Sequence, residues 1–172
     1  VLNRPEFGQT VSREDGMFDM AVNGGGPLTI NYKKSGLIPL QRQVQTSWQD
    51  FSIAPDVVMI ARDTQVTTIA LNASVMQVAR GSMSSDNDGD RKATVLIPPG
   101  TQAQIYRPDG TTQNVDTLNL RFTEFTVGAN GPNAMPGELP PTSGYTYAVE
   151  LAADEAVTKI NGKDVLFSQP VI

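Results

Sequence analysis

Apolar residues in this chain recur at every second position, in short groups, and that rhythm limits the folds open to it. In "MFDMAV", Phe18, Met20 and Val22 share one face, with Asp19 and Ala21 between them; in "LTINY", Leu28, Ile30 and Tyr32 repeat the pattern. Side chains leave a strand on alternate sides, so alternation over five or six residues marks a half-buried strand. No segment carries an apolar stripe of period 3.6 over three turns, as a core-facing helix would. The pattern predicts an all-β protein.

Glycine, proline, aspartate and asparagine punctuate the strands. "REDG", Arg13 to Gly16, reads as a turn of the Asp-Gly type, Asp15–Gly16, in which Gly16 takes the left-handed position. "NGGG" supplies Gly24, Gly25 and Gly26, which reach positive φ cheaply and predict a reversal between the strands at 17–22 and 28–32. Gly36 marks a bend into the extended "QRQVQTSW". Further strands are expected in "APDVVMI", "SVMQVARG", "KATVLIPPG", "QAQIYRPDGTT", "TLNLRFTEFTV" and "YTYAVEL", where Tyr145, Tyr147, Val149 and Leu151 share a face. "DEAVTKI" suits a single helical turn, and "NGKDVLFSQPVI" the second half of a hairpin.

A chain of 172 residues has room for one large domain or two small ones. A division near Arg62–Asp63 gives residues 1–62 and 63–172. Short strands with turn signals every 8–12 residues then predict two consecutive β-sandwich domains. Val1 and the closing "FSQPVI" suggest a piece of something longer.

Composition narrows the chemistry. There is no cysteine and no histidine, which excludes thiol catalysis, disulfides, Cys/His zinc sites and any triad with an imidazole base. Net charge is −5, and the thirteen Lys and Arg are dispersed, which works against nucleic-acid binding and polybasic membrane contact. No apolar run is long enough for a membrane helix, so no membrane insertion is expected from this segment. Glu14, Asp15 and Asp19 could be the acid and base of a glycosidase, but Glu14 and Asp15 sit in an expected turn, where acidic residues are usually solvated. Nothing in the sequence points to a pocket that would hold two carboxylates across a sugar. The reading is non-enzymatic.

"SSDNDGD" is the best metal candidate, because Asp86, Asp88 and Asp90 offer the hard oxygens that calcium prefers. Counted as a calcium loop, the stretch has Gly89 in the glycine position, but Val95 stands where a bidentate glutamate belongs. The same residues make an exposed hairpin turn, and that reading is favoured. Trp48, the only tryptophan, suits a sugar-stacking platform or, more commonly for a lone tryptophan, core or interface packing. Lys33, Lys34, Lys159 and Lys163 raise the idea of a lysine crosslink to asparagine or aspartate, and a solvated lysine is the plainer assignment.

"QTVSREDGMFDMAVNGGGPLTINYKKSGLIPLQRQV" resembles the carboxypeptidase-regulatory, transthyretin-like module, with its Asp-Gly turn, aromatic-x-apolar strand, glycine reversal and glycine-marked bend. The finer similarity is to teneurins and the bacterial YD-repeat (Rhs-like) proteins. It is carried by "FGQTVSREDGMFDMAVNGGGPLTINY", "WQDF", "ATVLIPPGTQAQIYRPDGT", "TEFTVGANGPNAMPGELPPTSGYTYAVEL" and "VLFSQPV". The resemblance implies that residues 1–62 are transthyretin-like and that residues 63–172 form a plug or adaptor leading into a YD shell. It implies an extracellular or cell-surface setting in a bacterium. Partners are then neighbouring domains of the same polypeptide or other copies of it, with the proline-rich stretch 128–144 as the preferred contact element and an ordinary long surface loop as its alternative. Val1 to Asn3 is too short to complete the first sheet, so an open edge is expected, filled by preceding residues or a second copy. Two other roles stay open: an adhesion module for carbohydrate or protein, with or without calcium at Asp86, Asp88 and Asp90, and a self-assembling filament subunit.

Overall fold

The computed structural model describes residues 1–107, 109–127, 132–138, 147–156 and 165–172. They form an all-β protein of antiparallel sheets, consistent with β-sandwich architecture. Ten strands run through the described residues: β1 (Gly26–Tyr32), β2 (Leu40–Thr46), β3 (Thr67–Ala70), β4 (Gln77–Asp86), β5 (Gly89–Ile97), β6 (Ala103–Tyr106), β7 (Thr112–Val115), β8 (Thr117–Glu124), β9 (Val149–Ala153) and β10 (Val165–Phe167). Two short 3₁₀ turns, Pro5–Phe7 and Pro132–Ala134, are the only helical elements among the described residues. The chain divides into two compact units, Val1–Ala61 with Asn130–Tyr145, and Arg62–Ala129 with Thr146–Ile172.

In the first unit β1 pairs antiparallel with β2, Leu28 opposite Val44 and Ile30 opposite Arg42. β2 alternates cleanly: Leu40, Arg42 and Val44 are buried, and the intervening glutamines are exposed. Among its described residues, Leu28, Ile38, Leu40, Val44, Ala134 and Met135 are the buried apolar ones.

The strand expected at 17–22 forms no ladder, although its alternation survives as half-buried Phe18, Met20 and Val22 beside exposed Met17, Asp19 and Ala21. Packing holds this segment in place of main-chain pairing; the Phe18 ring meets Tyr32 edge-on, centroids 5.8 Å apart. "NGGG" therefore does not join two paired strands. "APDVVMI" is likewise unpaired along its length, apart from Ile38 N–H donating to Ile60 O (2.8 Å) and a bridge between Leu37 and Ala61.

The outer edge of β1 is covered by the first residues of the chain. Leu2 N–H donates to Thr29 O (2.8 Å). The Asn3 carboxamide donates to Pro27 O (3.0 Å) and accepts Thr29 N–H (2.8 Å). A side-chain amide thus fills the role of a paired residue, and the edge expected to be open is capped at Pro27–Thr29.

The described residues of the second unit form three sheets, in the orders β3-β8-β9, β4-β5 and β10-β6-β7. Its core includes Ile69, Ile97, Ile105, Leu118, Leu120 and Phe122. β4 lies so close to β8 that a Cβ at Gly81 would sit 2.7 Å from that of Phe122. Gly81 falls where the β4–β5 register shifts, between Arg80 and Met83, so the bulge and the close approach share one residue. Sequence patterning gave no strand at β3, whose four residues are too short to display alternation. It also ended the β4 strand too early and began the β5 strand too late, since the pair runs on through the polar stretch to a turn at Asn87–Asp88. Tyr147, Val149 and Ala153 pack on the core, whereas Leu151 of the same face is exposed on edge strand β9. Tyr145 and residues 157–160 of the expected helical turn lie outside the described residues.

Candidate functional site

The turn residues hold backbone shape. At Arg13–Gly16, Gly16 has φ +85°, Gly16 N–H donates to Arg13 O (3.0 Å), and the Asp15 carboxylate accepts Met17 N–H (2.8 Å). Asp19 pairs with Arg13, and Glu14 and Asp15 are exposed. Gly24 passes directly over the chain at Ser47, where a Cβ would lie 2.0 Å from the carbonyl oxygen. Gly25 has φ +93° and lies beside the Trp48 ring, Gly26 opens β1, and Gly36 turns at φ +79°.

Asp86, Asp88 and Asp90 sit on the β4–β5 hairpin, with Asp86 opposite Gly89 and Ser85 opposite Asp90. The Asp86 carboxylate accepts Asp88 N–H (2.9 Å) and pairs with Arg91. Among the described residues no group of three or more acidic side chains could hold a metal ion. The Asp86 carboxylate serves the turn, as Asx bonding does in hairpins generally.

The loop after β2 presents Trp48, Phe51 and Ile53, at 68%, 96% and 93% exposure. Ser47 N–H donates to Ser52 Oγ (3.0 Å), and Gln49 adopts φ +55°, a costly value for a residue with a Cβ. Trp48 is therefore surface, not core. Lys33 and Lys34 are exposed; Lys159 and Lys163 lie outside the described residues.

The densest polar constellation in the first unit surrounds Arg42, which sequence reading passed over. Its side chain is only 5% exposed. Nη1 donates to Gln41 O (2.7 Å) and Met135 O (2.9 Å), and Nη2 donates to Asn133 O (2.8 Å). Glu138 lies 3.8 Å from Nε. Gln41 N–H donates to Pro136 O (2.7 Å), and Val58 N–H to Asn133 O (3.4 Å). The signal was present in "LQRQVQT", where a charged residue occupies the inward parity between Leu40 and Val44. Residues 132–138 belong to the proline-rich stretch 128–144, whose remaining residues lie outside the described set.

The second unit has a recess of about 260 Å³ lined by Arg62, Arg121, Glu150 and Asp154 among others. Its charges pair internally. Arg121 grips Asp154 through two bonds (2.7 and 2.9 Å) and donates to Asp63 O (2.8 Å). The bonds from Arg121 hold the Asp154 carboxyl below its usual range. Burial pushes Asp63 upward, but Gln65 N–H, Ser82 N–H and the Ser82 hydroxyl together outweigh it and carry its pKa down. Paired carboxylates of lowered pKa are structural anchors here, unsuited to proton abstraction near neutral pH.

Fold and site together describe an all-β chain whose polar groups bind its own backbone. Residues 1–59 match the family model of the teneurin TTR-like domain, which supports a teneurin-like transthyretin domain in that segment. Teneurin-3 of Mus musculus is 31% identical over 74 residues, covering 43% of this chain and 3% of the mouse protein. Teneurin-1 of Gallus gallus is 31% identical over the same extent. Teneurin-m of Drosophila melanogaster is 42% identical over 52 residues, 30% of this chain and 2% of its own length. The chain thus spans a few per cent of the length of these relatives. The comparisons indicate no enzymatic family, and no solved structure matches the chain.

Proposed function

We propose that this chain is a non-enzymatic structural region of a large extracellular or cell-surface protein of the bacterial YD-repeat kind. Residues 1–62 serve as its transthyretin-like domain and residues 63–172 as the plug or adaptor that follows. The observation carrying this reading is the match of residues 1–59 to the teneurin TTR-like domain. It is supported by the arrangement of polar groups, which satisfy main-chain donors and acceptors of their own unit at Asn3, Arg42 and Asp63.

Neighbouring domains of the same polypeptide, or other copies of it, are the proposed partners. Size-exclusion chromatography with light scattering on residues 1–172 tests the role, with calcium and then with EDTA. A calcium-independent monomer is expected, with unchanged thermal unfolding, because Asp86 is occupied by the turn and by Arg91. Concentration-dependent polymers would replace this reading with a filament subunit.

A second reading, an adhesion module, draws on the exposed tip of Trp48, Phe51 and Ile53. Aromatic and apolar side chains held on a fixed loop are suited to stacking on a partner surface. Glycan-array binding lost in Trp48→Ala would favour it over the structural role.

A further inference from the structure

Arg42 sets a problem that β1 and β2 cannot solve alone. A guanidinium taken out of water needs hydrogen-bond partners for its donors, or the desolvation cost is uncompensated. Its own strand supplies one carbonyl, that of Gln41. The other two, at Asn133 and Met135, come from a segment more than ninety residues further along the chain. The same segment satisfies the outward N–H of Gln41 through Pro136 O and that of Val58 through Asn133 O. It also buries Ala134 (4% exposed) and Met135 (8%).

We propose that the surface around Arg42 is a peptide-binding site, occupied in cis by residues 132–138. Its ligand is a short peptide recognised mainly through main-chain carbonyls, with one unbranched apolar side chain inserted at Met135 and an acidic residue three positions later. Four contacts go to main-chain oxygens of Asn133, Met135 and Pro136, whereas the Asn133 side chain is exposed. Recognition is therefore tolerant at position 133 and demanding at 135. Guanidinium geometry matters beyond charge, because a planar fork reaches two carbonyls of one segment at once and an ammonium does not reproduce that fork. The proposal concerns how the first unit is completed and stands independently of the role in a larger protein.

The test replaces residues 132–138 of the full chain with a Gly-Ser segment of equal length. A fluorescein-labelled peptide of residues 130–140 is then added, and fluorescence polarisation is read. The replaced chain is expected to bind saturably. The unaltered chain, whose site is filled, binds at least tenfold more weakly. Arg42→Ala in the replaced chain costs tenfold or more, and Arg42→Lys does not restore affinity. A folded replaced chain that ignores the peptide, equal binding by both chains, or indifference to Arg42→Ala overturns the proposal.

Amide exchange on the intact chain decides the matter if the replaced chain does not fold. Gln41 and Val58 N–H are expected to be protected in the unaltered chain. Both should exchange at least tenfold faster in Arg42→Ala, while Ile69 and Leu118 are unchanged. Free exchange of Gln41 and Val58 in the unaltered chain, or no effect of the substitution on them, would sink the idea.

Discussion

Asp63 concentrates three hydrogen bonds on one carboxylate, from Gln65 N–H, Ser82 N–H and the Ser82 hydroxyl. Because its folded pKa lies below the unfolded value, it contributes stability that is present above about pH 4 and is lost as pH falls through the lowered folded value. Asp63→Asn is therefore expected to lower the midpoint of thermal unfolding at neutral pH and to flatten its decline in acid, as followed by circular dichroism across a pH series. Gly81 makes a second prediction at this scale. A methyl group there meets the Cβ and carbonyl oxygen of Phe122 at 2.7 and 3.1 Å. Overpacking of this kind costs about 1–3 kcal/mol, so Gly81→Ala should shift the urea midpoint of the second unit by a corresponding amount. Neither consequence was legible in "ARDTQ" or "VARGSM", since a bulge and a hydrogen-bonded, half-buried carboxylate depend on which strand lies opposite.

At the level of elements, side-chain amides repeatedly take the place of a ladder partner. Asn3 does so for β1, and Gln77 does so between β3 and β4, accepting Ala70 N–H and donating to Ala70 O. Thr67 adds a hydroxyl exchange with Arg80, donating to its carbonyl and accepting its N–H. Gln77→Ala removes both partners from Ala70, and a net loss of about 1–2 kcal/mol is expected, with faster amide exchange localised to β3. Equal exchange across β3 and β8 in this variant would contradict it. The β4–β5 hairpin offers a complementary case, because Gly89 sits at φ +117° with open space around its Cα. Gly89→Ala should therefore destabilise through backbone strain alone, by about 1 kcal/mol, measurable by chemical denaturation without any change in the buried core.

For the whole molecule, the first unit takes in Asn130–Tyr145, far along the chain from Val1–Ala61. Its buried apolar set includes Ala134 and Met135. Residues 1–62 expressed alone lack those side chains and the carbonyls that satisfy Arg42, and such a fragment is expected to unfold without a sharp cooperative transition. A cooperative, monomeric 1–62 fragment, observed by calorimetry and light scattering, would show that the later segment is dispensable. The small size of the fragment makes the loss costly, since a chain of about sixty residues buries only about 60% of its surface to begin with.

Local alternation and turn chemistry determined by themselves that this chain is all-β and where many of its strands run. Those signals act between residues a few positions apart, and the backbone geometry of strand and turn reads them directly. The same signals put the β4–β5 reversal within "SSDNDGD" and the Asp15–Gly16 turn within "REDG". Tertiary structure decided whether an extended segment would find a partner: "LTINY" paired with β2, while the equally regular "MFDMAV" was held by Phe18 against Tyr32. It also decided what would answer the buried charge of Arg42 within "LQRQVQT". That answer lies more than ninety residues away, because a guanidinium buried among apolar side chains is stable only where carbonyls meet it, and no local pattern specifies which carbonyls those will be.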